Sequence, residues 1–189
     1  KDGKTWEKPD LGLVEYHGNK NNNLVDMGGD KHVQSCVIFY EPDDPDTNKR
    51  FKMVHQTRKY GSRLAVAYSA DGLTWQESPN NPVAGWFEMA GGTKVDDCYY
   101  IAGQGGMHAD GFRQFAVSAS YDFENWVEAS CRGLRRSNIS PKLMVEGKNT
   151  GEQIHLGAAL WNRGNVILGF YGKWNGHPSN DRRMVTMDI

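Results

Sequence analysis

Several carboxyl, imidazole and amide side chains in this sequence stand just ahead of or at the opening of apolar runs, and carboxyl and imidazole groups are among the usual acids and bases of catalysis. Glu88 directly follows Trp86 and Phe87. Apolar surroundings favour the neutral form of a carboxyl group, the form that can donate a proton. Asp26 and Asp30 precede the apolar run 34–39, so either could present a carboxylate at the entrance of a strand. Glu152, Gln153 and His155 open a further run. Alternation along a strand puts Gln153 and His155 on one face and Glu152 with Ile154 on the other, unless a bulge near the strand end reverses Glu152. Gln104 and His108 belong to the polar stretch Gln104-Gly105-Gly106-Met107-His108-Ala109-Asp110-Gly111. Its glycines permit movement and its His and Asp could reach a ligand, although a solvated connection is the plainer reading. It lacks the spacing and following helix of a dinucleotide fingerprint.

The elements that must position these groups are strands. Helical periodicity is absent, whereas short runs rich in Val, Ile, Phe and Tyr recur between Gly, Asn, Asp and Pro clusters, predicting strands at 35–40, 51–56, 63–69, 92–95, 99–103, 114–120, 154–161, 165–171 and 183–188. Pro42-Asp43-Asp44-Pro45-Asp46 reads as a solvated hairpin loop, not a metal site.

A repeat organises the strands. Ser69-Ala70-Asp71-Gly72-Leu73-Thr74-Trp75 and Ser120-Tyr121-Asp122-Phe123-Glu124-Asn125-Trp126 each follow a strand, and Asp2-Gly3-Lys4-Thr5-Trp6 is the same phrase without its beginning. Its mechanics are an Asp that caps a turn, a Gly with positive φ, and a Trp wedged on the returning strand. The three Trp residues stand 69 and 51 residues apart, a spacing suited to four-stranded propeller blades with variable loops. The expected fold is therefore all-β, a β-propeller of four-stranded antiparallel blades. Residues 1–33 would end a first blade and connect it, 34–87 form a second, 88–150 a third, and 151–189 an incomplete fourth.

Composition removes several function classes. The 189 residues carry 22 Lys and Arg against 23 Asp and Glu. So balanced a charge offers no bulk attraction to a polyanion, and no nucleic-acid partner is expected. No apolar run approaches the roughly 20 residues of a membrane span, and Lys1-Asp2-Gly3-Lys4 does not read as a secretory signal. Cys36, Cys98 and Cys131 are widely spaced and odd in number. They suit ordinary buried or half-buried thiols rather than a disulfide framework or metal site, and one disulfide stays open.

The segments Asp2 through Leu13, Asn21-Asn22-Asn23-Leu24-Val25, Lys49-Arg50-Phe51-Lys52-Met53-Val54 and Phe87-Glu88-Met89-Ala90-Gly91-Gly92, with the stretch through Glu152, His155, Trp161 and Arg163, carry a resemblance. Together they resemble the five-bladed propeller glycoside hydrolases grouped around families 32 and 43, nearest the family 32-like branch. The resemblance implies a funnel at one end of a central axis, lined by the starts of the innermost strands. It also implies three carboxylates: an Asp from the first blade as nucleophile or base, an Asp from the second, and a Glu from the third as general acid. Glu88 matches the acid. Asp30 is the choice for the second-blade Asp, although neither it nor Asp26 lies in the Arg-Asp-Pro phrase of family 32. The first-blade Asp has no counterpart, and its strand would precede Lys1. On this reading the chain is a fragment, about three and a half blades of a presumed five.

The implied partner is a carbohydrate, an oligo- or polysaccharide whose O-glycosidic bonds are hydrolysed. Its contacts would come from His155, Glu152, Gln153, Gln104, His108 and Trp161. Trp161 and Trp174 could stack on sugar faces or fill the space between blades. No cofactor is implied. Some family 43 propellers hold axial calcium, but no Asp-rich ligand loop stands here, so calcium remains unassigned. The usual substrates of the family favour an extracellular or periplasmic parent protein. Two other readings remain: a non-catalytic propeller that binds carbohydrate or protein, and a sialidase-like propeller using Arg63, Arg113 and Arg163, which fall at unlike places in their units.

Overall fold

The repeated turn forms as its chemistry dictates in the computed structural model, which describes residues 2–30, 32–105, 115–131, 143–145, 148–176 and 184–188. Asp71 Oδ1 accepts the backbone N–H groups of Leu73 and Thr74, and Gly72 takes φ 76°. The indole of Trp75 donates to the Gly72 carbonyl and packs on Met53 and Ala67. Asp122 accepts from Glu124 and Asn125 in the same manner, and Trp126 donates to the carbonyl of Phe123. In this second turn Phe123 occupies the glycine position at φ 66°. A left-handed non-glycine residue costs about 1–3 kcal/mol. Burial of the ring offsets that cost, since Phe123 is 1% exposed and meets Phe39, Tyr99 and Trp126 edge-on. Asp2 hooks Lys4 and Thr5 likewise, but Trp6 is exposed.

Among the described residues, three antiparallel four-stranded sheets result. The first holds β1 (Val33–Tyr40), β2 (Phe51–Thr57), β3 (Arg63–Ser69) and β4 (Gln76–Glu77) in that order. The second holds β5 (Glu88–Val95), β6 (Cys98–Gln104), β7 (Phe115–Ser120) and β8 (Val127–Cys131). The third contains β9 (Leu143–Val145), β10 (Lys148–Asn162), β11 (Ile167–Gly176) and β12 (Met184–Asp188), ordered β12-β11-β10-β9. Each expected strand has a counterpart. The structure differs at three points. The turn Trp stands one residue before the fourth strand; β5 begins at Glu88 instead of 92; and β9, which the sequence pattern does not predict, pairs with the first residues of a long β10. A three-residue apolar run is too short to register by periodicity, whereas its backbone needs no side-chain pattern to pair. β9 thus lies within 88–150, the residues read as the third unit, but hydrogen-bonds to the strand that follows.

β1, β5 and β10, one strand from each sheet, lie side by side and run in the same direction. A Cβ on Gly92 would press on Val37 and Phe39, mid-strand in β1, and Lys94, near the end of β5, pairs with Glu41, just past the end of β1. On the other side a Cβ on Gly91 would meet the Ala159 backbone at 2.7 Å, and the Asn162 amide donates to the Lys94 carbonyl. β1, β5 and β10 therefore start at one end and finish at the other, an arrangement that fits a propeller-like fold. The main core fills the space between the first two sheets, with Val54, Leu64 and Val66 against Phe87, Met89 and Ile101. Glu124 ties them further by accepting from Tyr68 and Ser78 hydroxyls across the gap.

Backbone contact is closest at Gly103 and Gly157. A Cβ on Gly103 would stand 2.2 Å from the Glu88 carbonyl, and one on Gly157 would stand 2.4 Å from the Gly103 Cα. Gly103→Ala or Gly157→Ala must force strands apart, and each is expected to cost at least about 2–3 kcal/mol. Gly85→Ala, which would place its Cβ in open space, should stay within about 0.5 kcal/mol of the parent. Urea midpoints at constant m-value check the comparison.

Candidate functional site

Glu88 is the first residue of β5. Its neighbours Phe87 and Met89 are buried in the core, so strand alternation turns the Glu88 side chain to the opposite face, where it is half-buried. Across the ladder it pairs with Gln104, the last residue of β6. Gln104 is 3% exposed, and its Oε1 has no hydrogen-bond partner among the described residues. The third sheet reaches the same place through Gly157 on Gly103. The backbone of Glu152, Gln153 and His155 approaches this end along β10, opposite Asn175, Trp174 and Gly172, with a register shift between His155 and Ala158.

Asp30 stands three residues before β1, also at this end. It is 8% exposed. Oδ1 accepts the His32 backbone N–H at 2.8 Å and Oδ2 accepts the Thr57 hydroxyl at 2.6 Å. Thr57 closes β2 directly opposite Val33, so antiparallel pairing is what delivers the hydroxyl to the carboxylate. Beside Asp30, between the segment 14–27 and the first sheet, lies a cavity of about 580 Å³ walled by apolar groups including Leu24, Met27, Val33, Met53 and Trp75.

The structure thus brings Glu88, Gln104, Asp30 and the backbone of 152–155 to one end. Trp161 does not join them. It lies half-exposed near the finish of β10, under the Arg163 guanidinium at 4.6 Å and beside the Asn162 contact to Lys94. The eight residues of β5 separate the two ends by roughly 23 Å. Arg63 opens β3 at the Glu88 end and Arg163 lies at the other, so these two do not converge on one ligand. His108 and Arg113 lie outside the described residues.

Sequence reasoning missed a group behind Asp30. His55 on β2 is 0% exposed, and neither ring nitrogen has a hydrogen-bond partner among the described residues. One ligand atom each from Asp30, His55 and Glu77 lie within 4.8 Å of one another. Glu77 Oε2 accepts from the Lys59 ammonium and the Tyr60 hydroxyl, whereas Oε1 is buried without a partner among the described residues. Burial pushes the His55 imidazole below its usual pKa, against the opposite pull of Asp30 and Glu77. Each buried polar atom left unpaired costs about 1–3 kcal/mol. No local signal could have found the trio, because strand pairing alone joins residues 30, 55 and 77.

The far end is charge-paired. Glu41 accepts from Lys52, Lys94 and the Tyr99 hydroxyl, and Lys52 also binds Asp44 of the loop read as solvated. Burial raises the Glu41 pKa, but the hydrogen bonds from Lys52, Lys94 and Tyr99 outweigh it and hold the carboxyl at about 2.

No family model matches the sequence, and neither does any curated protein. Among solved structures, an RGII complex of BT0996 overlaps at TM-score 0.47 and 19% identity, covering 82% of this sequence and 45% of that protein. A Bombyx mori GH32 beta-fructofuranosidase overlaps at TM-score 0.36 and 14% identity, covering 73% of this sequence and 34% of the enzyme. A variant of that enzyme in complex with sucrose overlaps at TM-score 0.34 with the same identity and coverage. The sequence therefore spans less than half the length of each of these proteins.

Because the Glu41 carboxyl is lowered on folding, its stabilisation is complete above the ordinary glutamate value of 4.5 and is lost as the pH falls towards about 2. Glu41→Gln is expected to lower stability at pH 7 by about 1–2 kcal/mol and to flatten the acid limb between those values. Urea midpoints of both proteins at pH 7, 4.5 and 2.5 measure it. An unchanged acid limb in the variant would show that other carboxylates govern acid unfolding.

Proposed function

We propose that this protein is part of a propeller-type glycoside hydrolase in which Glu88 donates the proton to the departing glycosidic oxygen. The observation that carries this reading is a half-buried carboxyl group at the first residue of β5, at the end where β1, β5 and β10 all begin. Glycoside cleavage separates charge as the bond to the leaving oxygen breaks. A positioned acid removes the need to expel an alkoxide, while carboxylates on the sugar side steady an oxocarbenium-like centre.

The neighbouring groups suit a polyhydroxylated ligand. Gln104 holds, beside Glu88, an amide oxygen without a partner among the described residues, and such an acceptor is satisfied by a sugar hydroxyl. Asp30 enters as the second carboxylate, fixed by Thr57 and His32 and therefore suited to orienting hydroxyl groups more than to swinging towards the reacting carbon. Glu152, Gln153 and His155 would add contacts from the third sheet, and His108 from the polar connection. Trp161 has no part in the reading because it belongs to the other end.

The test uses the protein that carries this sequence. Glu88→Gln keeps the shape of the side chain and removes its proton, so kcat on glycosides with sugar or alkyl leaving groups should fall by roughly 10²–10⁴. Dinitrophenyl glycosides, whose leaving group needs no proton, should lose far less. Equal loss on both substrate types would remove Glu88 from the donor role. Binding of oligosaccharide by the parent without any release of reducing ends would replace the hydrolase with a carbohydrate-binding propeller.

A further inference from the structure

We propose that Asp30, His55 and Glu77 form a binding site for a divalent transition-metal ion inside the first sheet. The inference shares Asp30 with the glycosidase reading but does not need Glu88 or any catalysis to hold. Its basis is two side chains with buried atoms unpartnered among the described residues, His55 and Glu77, beside an Asp30 carboxylate that a hydroxyl and a backbone N–H already hold in place. His55 is wholly enclosed with both nitrogens unpartnered among the described residues, and Glu77 Oε1 is buried in the same condition. Ordinary packing places apolar side chains or hydrogen-bonded polar ones at such positions. Here three ligand types that metals use converge within 4.8 Å, and among the described residues no direct hydrogen bond involving the His55 ring closes the group.

The dimensions and the ligand chemistry agree on the class of ion. A tetrahedral ion with bonds of about 2.0–2.2 Å holds its ligands roughly 3.3–3.6 Å apart, so atoms that lie within 4.8 Å of one another need to close by at most about 1.2–1.5 Å per contact. One imidazole with two carboxylates suits zinc or manganese, whereas calcium prefers six to eight oxygens, more than this enclosed trio supplies. Charge is consistent as well. The two carboxylates, Asp30 and Glu77, together carry the charge that offsets a dication, and Lys59 shares one of them from outside.

The outer contacts are of the kind that orient metal ligands. Thr57 and the His32 N–H hold Asp30, and Lys59 with Tyr60 holds the second oxygen of Glu77, leaving Oε1 free to turn inward. The ligands come from the segment before β1, from β2 and from β4. A bound ion would fasten the entry of β1 to the outer edge of its own sheet, closing two long loops at one point.

The experiment takes the protein carrying this sequence, stripped with EDTA and dialysed, and titrates it by calorimetry with ZnCl2, with MnCl2 and with CaCl2. One equivalent of zinc or manganese should bind with micromolar or tighter affinity, raising Tm, and calcium should not. Glu77→Gln and His55→Gln should each weaken binding at least tenfold. Because a change at either buried position can itself unfold the protein, the unaltered protein supplies a second reading. Zinc should shift one ring nitrogen of His55 in a long-range ¹⁵N–¹H spectrum. The proposal is overturned by no saturable uptake at 100 µM metal, by affinity that both folded variants retain, or by a His55 ring spectrum that zinc leaves unchanged.

Discussion

Close approach of backbones between strands of different sheets sets the rest of the structure. Where β5 passes β10 at Gly91 and where Gly157 lies on Gly103, no side chain separates the main chains. Dispersion falls off so steeply that such contact is gained only at near-contact distance, and only glycine leaves room for it there. The consequence is geometric. With β1, β5 and β10 held side by side and codirectional, every residue at a strand start faces the same end, and three segments distant in sequence are gathered without any loop reaching across. Glu88 owes its position to this arrangement twice, since its own carbonyl touches the space that a side chain on Gly103 would need.

The two ends of the strands then acquire opposite characters. At the finish of β1 and β5 the ionised groups are mutually satisfied, as Glu41 engages two lysines and a tyrosine and Lys52 takes a second carboxylate. A network of that kind is static, because moving one member strips charge-assisted bonds from the others. At the starting end, buried acceptors on Gln104 and Glu77 and both nitrogens of His55 have no partner among the described residues. Uneven satisfaction is informative because folding alone favours pairing everywhere. The end with unpaired acceptors is the end with capacity to hold something.

How much of this was legible in the sequence depends on whether a feature is local. The turn phrase with Asp71 and Trp75 was readable because capping acts over three residues, and its second copy announced Asp122 and Trp126 in the same way. Even there, Phe123 at a positive φ was not foreseeable from turn chemistry, since only the aromatic cluster around it makes that backbone tolerable. Glu88 could be placed ahead of a strand, but neither as the first residue of β5 nor opposite a buried Gln104, because extent and register are matters of pairing. Trp161 failed to reach the same end. It closes the run 154–161 and stands one residue before the finish of β10 at Asn162, so the codirectional strands that gather Glu88 and the backbone of 152–155 leave it at the opposite end. His55 gave no signal at all, lying in a run whose burial on both faces hides any distinction between a packing residue and a ligand.

Asp30 is the joint between the open end and the interior. It belongs to the segment entering β1, so the path of that strand depends on where its carboxylate is held, and Thr57 holds it from the last position of β2. A carboxylate with one oxygen on a hydroxyl and the other on a backbone N–H has given up most of its rotational freedom. Of the two carboxylates, Glu88 is the less constrained, since its side chain is half-buried and points away from the core that fixes Phe87 and Met89. Rigid and adjustable carboxylates on neighbouring strands are a division of labour that follows from burial alone. The buried one can fix orientation at little entropic cost because its entropy was lost on folding, and the half-buried one retains more rotamer freedom.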